Sequence, residues 1–337
     1  MRTSRHFSSI LMVLAATLML SVTAFAAEPN LGPGAAFPRD GAVSDVKAGS
    51  VLFFNLFSSS ASNPVGVNTR IEITNTNPSS SVAVHLFFVD GETCSPADFY
   101  FCLTPNQTYV FRASDFDPDT TGYVVAIAVN NSGCPIQFNY LIGAEYVKLA
   151  SGHSTSLNAE SLAALRNLGD ICNSANSFAS VLNFNGVDYD LVPATLAIDN
   201  IPSRMDNNDT LIILNRPGGD LGLGASRIGT LFGLLYNDVE VAHSFSISSS
   251  LCQFRFSFGN PTPRTVPRFT SVVPTGRTGW VKFYSNTGAP IFGAMINYNP
   301  NTATSTSAFN GGHNLHKLTF TTSSFTVPVF PAACAFR

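Results

Sequence analysis

Charge is scarce in this 337-residue chain: Asp, Glu, Lys and Arg make up 12% of it, the net charge is −3, and lysine occurs only at Lys47, Lys148, Lys282 and Lys317. A polyanion partner requires a basic footprint that is missing, so no nucleic acid is expected as a partner. Long apolar runs are equally rare. Beyond the first 26 residues none approaches the ~20 residues that a helix needs to cross a bilayer, so no transmembrane segment is expected in the mature chain. The closing residues Pro331–Arg337 offer neither a transmembrane tail nor a sorting motif. C-x-x-C pairs are absent, which removes the usual zinc spacings. A G-x-S-x-G elbow is absent too: Gly152-His153-Ser154 and Gly224-Ala225-Ser226-Arg227 do not stand between a strand and a helix. Gly218–Gly224 lacks the Lys and the following helix of a phosphate loop and reads as a flexible insertion.

What is present begins with a leader. Arg2 and Arg5 precede an apolar run from Ile10 to about Val22 and the small-residue pattern Ala24-Phe25-Ala26, so cleavage is expected after Ala26. Loss of the two arginines takes the net charge to −5. No Cys follows the leader directly, which argues against a lipid anchor. The expected location is secreted or at the cell surface, with the periplasm as the other compartment. Phe contributes 28 residues, and Ser, Thr and Asn supply most of the polarity, a composition suited to β-sheets outside a cell. Six cysteines remain, Cys94, Cys102, Cys134, Cys172, Cys252 and Cys334, and an even number in an exported chain reads as disulfides. Fifteen pairings are open. Cys94 with Cys102 is the expected one, because the two flank a short polar excursion.

An internal duplication organises the rest. Thr121–Val129 followed by Asn131-Ser132-Gly133-Cys134-Pro135-Ile136 matches Thr278–Tyr284 followed by Asn286-Thr287-Gly288-Ala289-Pro290-Ile291. Phe138–Tyr146 then matches Phe292–Tyr298. Upstream, Ser50–Leu56 with Asn68–Asn75 corresponds to Thr195–Ile201 with Asp209–Asn215, and four segments in one order indicate repetition rather than coincidence. Alternation in Ile71-Glu72-Ile73-Thr74 and Thr108–Arg112, the buried-looking run Val82–Val89, and turns at Asn-Pro, Asp-Gly and Ser-Gly predict short antiparallel strands. Gly91 and Gly133 are expected to supply positive φ at tight turns. Between the copies, Leu162, Leu165 and Leu168 recur at helical spacing after a capping Asn158 and before Gly169, which predicts a short linker helix.

Thr76-Asn77-Pro78, Val84 to Gly91, Leu103-Thr104-Pro105-Asn106-Gln107, Gly122-Tyr123-Val124 and Pro135-Ile136 form one series. Arg216-Pro217, Gly279-Trp280-Val281 and Pro290-Ile291-Phe292-Gly293 form its second copy. Together they resemble uncharacterised exported bacterial proteins built of tandem immunoglobulin-like β-sandwich repeats. The resemblance implies an all-β chain: residues 1–26 signal peptide, 27–47 N-terminal extension, 48–150 first β-sandwich domain, 151–180 linker with a short helix, 181–331 second β-sandwich domain, and 332–337 tail. It also implies an extracellular, non-enzymatic role.

Chemical candidates are few. Asp115, Asp117 and Asp119 alternate in one loop and could converge on calcium, although Pro118 stiffens the loop and the second copy has no acid at the matching stretch. No other cofactor is indicated. His313 and His316 lie three apart with no acid nearby in sequence and read as solvated or packing residues. Trp280, Tyr284, Tyr298 and Tyr123 could stack sugars, but the matched positions of Trp280 and Tyr123 favour shared core packing. The expected function is therefore a secreted, non-enzymatic, surface-associated structural or adhesive protein whose partners are cell-surface proteins, glycans or its own copies. An extracellular glycan- or calcium-binding module is the alternative, and a hydrolase built from loops comes last.

Overall fold

The computed structural model describes residues 41–166, 172, 178–301, 308, 310–332 and 334; the expected leader and its cleavage site fall outside them. From Gly41 onward the chain forms one compact unit of strands. In chain order these are β1 (Val51–Ser58), β2 (Asn68–Asn75), β3 (Val82–Asp90), β4 (Pro96–Leu103), β5 (Thr108–Arg112), β6 (Thr121–Val129), β7 (Leu141–Lys148), β8 (Ser154–Asn158), β9 (Glu160–Leu162) and β10 (Ala179–Phe184). They continue as β11 (Val192–Pro202), β12 (Asp209–Asn215), β13 (Gly219–Asp220), β14 (Gly224–Ala225), β15 (Gly229–Asn237), β16 (Ala242–Ser249) and β17 (Gln253–Ser257). After a short α-helical turn, α1 (Phe269–Val272), come β18 (Thr278–Tyr284), β19 (Phe292–Tyr298), β20 (Gly311–Asn314), β21 (His316–Thr321) and β22 (Ser323–Pro328).

The strands make five small sheets: I, β4-β3-β6-β1-β9; II, β5-β2-β7-β8; III, β16-β15-β18-β11-β21; IV, β17-β12-β19-β20; and V, β10-β22-β13-β14. All pairings within them are antiparallel except β13 with β22. Sheets III and IV repeat the strand order of I and II position for position. The four segment pairs matched in the sequence fall on β1 and β11, β2 and β12, β6 and β18, and β7 and β19.

Two tandem immunoglobulin-like sandwiches are nevertheless not what forms. The five sheets are set as a five-bladed, β-propeller-like arrangement, which corrects both the resemblance and the expected fold class. Apolar contacts run from blade to blade. Leu52, Phe54, Leu86, Phe88 and Val124 of sheet I pack on Ile71, Ile73 and Leu141 of sheet II. Val147 and Leu157 of sheet II meet Ile213 and Ile296 of sheet IV. Ile212 and Met295 of sheet IV meet Leu231 and Phe283 of sheet III. Phe53, Phe87, Tyr123 and Val125, on the other face of sheet I, pack on Leu182, Phe184, Phe325 and Val327 of sheet V, with Val192 and Phe320 of sheet III at the margin. Alternating short strands and turn residues are common to sandwiches and propellers, so strand patterning alone does not choose between the two assemblies. In sheet V, β10 and β22 pair across more than 130 positions, which no local signature reveals.

Over the described residues 158–166 the expected linker helix does not form. Ser154–Asn158 pairs with β7 and Glu160–Leu162 with β1. Ladder hydrogen bonds to distant strands override a leucine spacing that is only locally helical. Leu165 remains outside any strand, and Leu168 and Gly169 lie outside the described residues. Cys102 bonds Cys334 and Cys134 bonds Cys172, while Cys94 and Cys252 remain buried thiols, so the expected Cys94–Cys102 bond does not form. Cys102 sits on β4 facing a chain terminus that sequence spacing cannot bring near. Gly133 has φ +82° and the matched Gly288 φ +66°, as their turns require. Gly91 is not left-handed; Cys94 is the left-handed residue after β3. No helix among the described residues is long and apolar enough to cross a membrane.

Candidate functional site

The duplicated sheets I and III differ in one respect that matters for function. In sheet I, β1 and β3 are buried along almost their whole length, because sheet II covers one face and sheet V the other. In sheet III, β15 and β18 alternate between buried and half-buried residues. Leu231, Leu235, Val281 and Phe283 point to the core. Phe232, Leu234 and Tyr236 of β15, with Trp280, Lys282 and Tyr284 of β18, form the outward face.

Register sets the order on this face. Phe232 lies opposite Tyr284, Leu234 opposite Lys282, and Tyr236 opposite Trp280. Phe232 and Tyr284 stack at 5.9 Å between ring centroids; Tyr236 and Trp280 stack at 4.3 Å with planes 7° apart. On the far side, the edge strand β16 places Ser246, Ser244 and Ala242 beside Phe232, Leu234 and Tyr236. These three are exposed and too small to cover the rings. The result is a wall of aromatic and aliphatic side chains above a shelf of hydroxyls. Tyr123, the counterpart of Trp280, is fully buried beneath sheet V, so matched positions do not share an environment.

Next to the strip lies a polar cluster. β11 carries a bulge between Ile198 and Ile201, which turns Asp199 into solvent. His316 pairs in register with Ala197 and His313 with Met295. His313 Nε2 stands 3.3 Å from Asp199 Oδ1, and His316 Nε2 stands 3.6 Å from Asp199 Oδ2. The Nδ1 of His313 is 2.8 Å from the Asn314 carbonyl oxygen. No acid near the two histidines was visible in sequence, because Asp199 precedes them by more than 100 residues. The matching bulge of β1, between Phe54 and Phe57, directs Asn55 inward. There Asn55 bonds Asn314, and Asn215 and Gln253 bond Asn55 in turn, knitting sheets I and IV together.

The calcium candidates are not drawn together in the same way. Asp115 Oδ2 accepts from the Arg112 amide, Asp117 Oδ1 from the Thr120 hydroxyl, and Asp119 Oδ1 from the Ala61 amide. Each carboxylate fastens its own part of the loop. Burial raises the Asp117 pKa, with the Thr120 hydrogen bond opposing. Among the described residues, the group of three or more such side chains whose ligand atoms converge is Asp199, His313 and His316.

A serine–histidine contact stands apart from both clusters. Ser151 Oγ lies 2.9 Å from His153 Nδ1. The Nε2 of His153 lies 3.1 Å from the Asp209 carbonyl oxygen and 3.8 Å from its carboxylate, which is paired with Arg204. Burial lowers the His153 pKa. An Nε2–H that donates to a main-chain carbonyl leaves Nδ1 to accept from Ser151, so the contact ties the β7–β8 hairpin to β12. It lacks the carboxylate-held imidazole of a hydrolytic triad. Elsewhere, a cavity of about 460 Å³ is lined by Arg204, Arg264 and Arg268 beside Phe258 and Phe269.

No protein-family model matches the chain, and no curated protein does either. Among solved structures, the crystal structure of Thermotoga maritima 1070 aligns with 34% of this chain and 92% of its own, at 13% identity and a TM-score of 0.25. A likeness that slight carries no argument about fold or function.

Proposed function

We propose that this is an exported, non-enzymatic adhesive module that holds a polysaccharide along the outer face of sheet III. The observation that carries this reading is the pair of stacked aromatic couples, Phe232 with Tyr284 and Tyr236 with Trp280, left uncovered on a face whose counterpart in sheet I is buried. A sugar ring has an apolar C–H face and a rim of hydroxyls. An aromatic wall satisfies the first, and Ser244, Ser246 and Lys282 offer hydrogen bonds to the second. Phe232 and Tyr236 are four positions apart on β15, about 14 Å of strand, so the face suits several consecutive sugar units better than one. Export rests on the leader, and an outer face low in charge fits an uncharged glycan.

Affinity electrophoresis through gels containing neutral cell-surface polysaccharides tests the proposal. Retardation by at least one polysaccharide is expected, together with its loss in a Tyr236→Ala/Trp280→Ala double variant that keeps the native circular dichroism. Equal migration with and without every glycan tried, or retardation unchanged in the double variant, would overturn it.

A further inference from the structure

We propose that Asp199, His313 and His316 form a site for one divalent transition-metal ion of the zinc type, with a fourth coordination position left for water or a ligand oxygen. The distances favour coordination over simple pairing. At 3.3 and 3.6 Å the two histidine–carboxylate contacts are longer than good hydrogen bonds. The His313 Nε2–Asp199 Oδ1 distance is close to the ~3.4 Å edge of a tetrahedron whose metal–ligand bonds are about 2.0–2.1 Å, while His316 faces the second oxygen of the same carboxylate. All three ligand atoms lie within 4.8 Å of one another.

Tautomer chemistry supports the same assignment. Nδ1 of His313 faces the Asn314 carbonyl at 2.8 Å, so it carries the proton and the Nε2 lone pair points to the cluster. This is the outer hydrogen bond that metal-ligating histidines commonly make. The three side chains come from well-anchored backbone: a bulge in β11, the end of β20 paired with β19, and the start of β21 paired with β11. Their exposure, 60% for Asp199, 40% for His313 and 55% for His316, leaves the site open to an ion from solution. Two imidazoles and one carboxylate suit zinc, copper or nickel more than calcium.

The inference rests on these three side chains and not on the polysaccharide reading. The test is calorimetric titration of untagged, chelator-treated protein with zinc chloride and no glycan present, so the two proposals fail separately. One ion per chain is expected. His313→Ala/His316→Ala and Asp199→Asn should each weaken binding more than ~10-fold. His243→Ala, on β16, should bind as the unaltered protein does. Absence of saturable heat in the unaltered protein, or undiminished binding in the double-histidine variant, would overturn the site.

Discussion

His85 shows how single ionisable groups set the pH response. It is fully buried on β3, stacked 4.0 Å from Tyr100, and burial outweighs the Asp98 hydrogen bond, lowering its pKa from 6.5 to about 4. An imidazole that resists protonation when folded contributes stability that is complete above pH 6.5 and is lost as pH falls toward 4, up to ~3 kcal/mol. Urea unfolding at pH 7 and pH 4 should therefore show a smaller acid loss in His85→Phe than in the unaltered protein. Glu145 has the opposite sign. It is fully buried, accepts only the Leu56 amide, and its pKa is raised well above the usual carboxylate range by burial. Its ionisation costs stability as pH rises, so Glu145→Gln should raise the melting temperature at pH 9 and change little at pH 4. The Cys252 thiol donates to the Asp90 carbonyl oxygen, and burial pushes its pKa up. Thiol titration should find none reactive in the native protein and two after unfolding without reductant; none after unfolding would contradict the two free thiols.

Individual strands carry the division between core and face. In β18, Phe283 is buried against sheet IV and Trp280 is half-buried outside. Phe283→Ala should cost about 3–5 kcal/mol in urea unfolding, and Trp280→Ala clearly less. Equal costs would mean that Trp280 belongs to the core and that the face is covered. Strand identity was largely legible, because Ile71-Glu72-Ile73-Thr74 and Gly279–Tyr284 alternate as half-buried strands do. Asn158–Leu168 was not. Its leucine spacing and capping residues describe an isolated helix, whereas Asn158 and Glu160–Leu162 find partners in Ala144 and in β1 that local sequence cannot reveal.

At the scale of the molecule, the duplication left its mark in sequence because turns and strands recur in order. The assembly of blades did not, since sheet V couples Ala179–Phe184 to Ser323–Pro328 and covers one face of sheet I, reaching sheet III only at its margin. That asymmetry makes Tyr123 a core residue and its counterpart Trp280 a surface one. The same distance in sequence hid Asp199 from His313 and His316. Cys102–Cys334 fastens β4 to the far end of the chain, and its removal by Cys102→Ala/Cys334→Ala should cost about 2–5 kcal/mol. Trp280 is the sole tryptophan, so its emission reports on the proposed site alone. The most direct test of the account is fluorescence titration of the mature protein with the polysaccharide that retards it in gels. The account predicts a saturable change in Trp280 emission that Tyr236→Ala abolishes. Retardation with no change in emission would place the glycan elsewhere and contradict it.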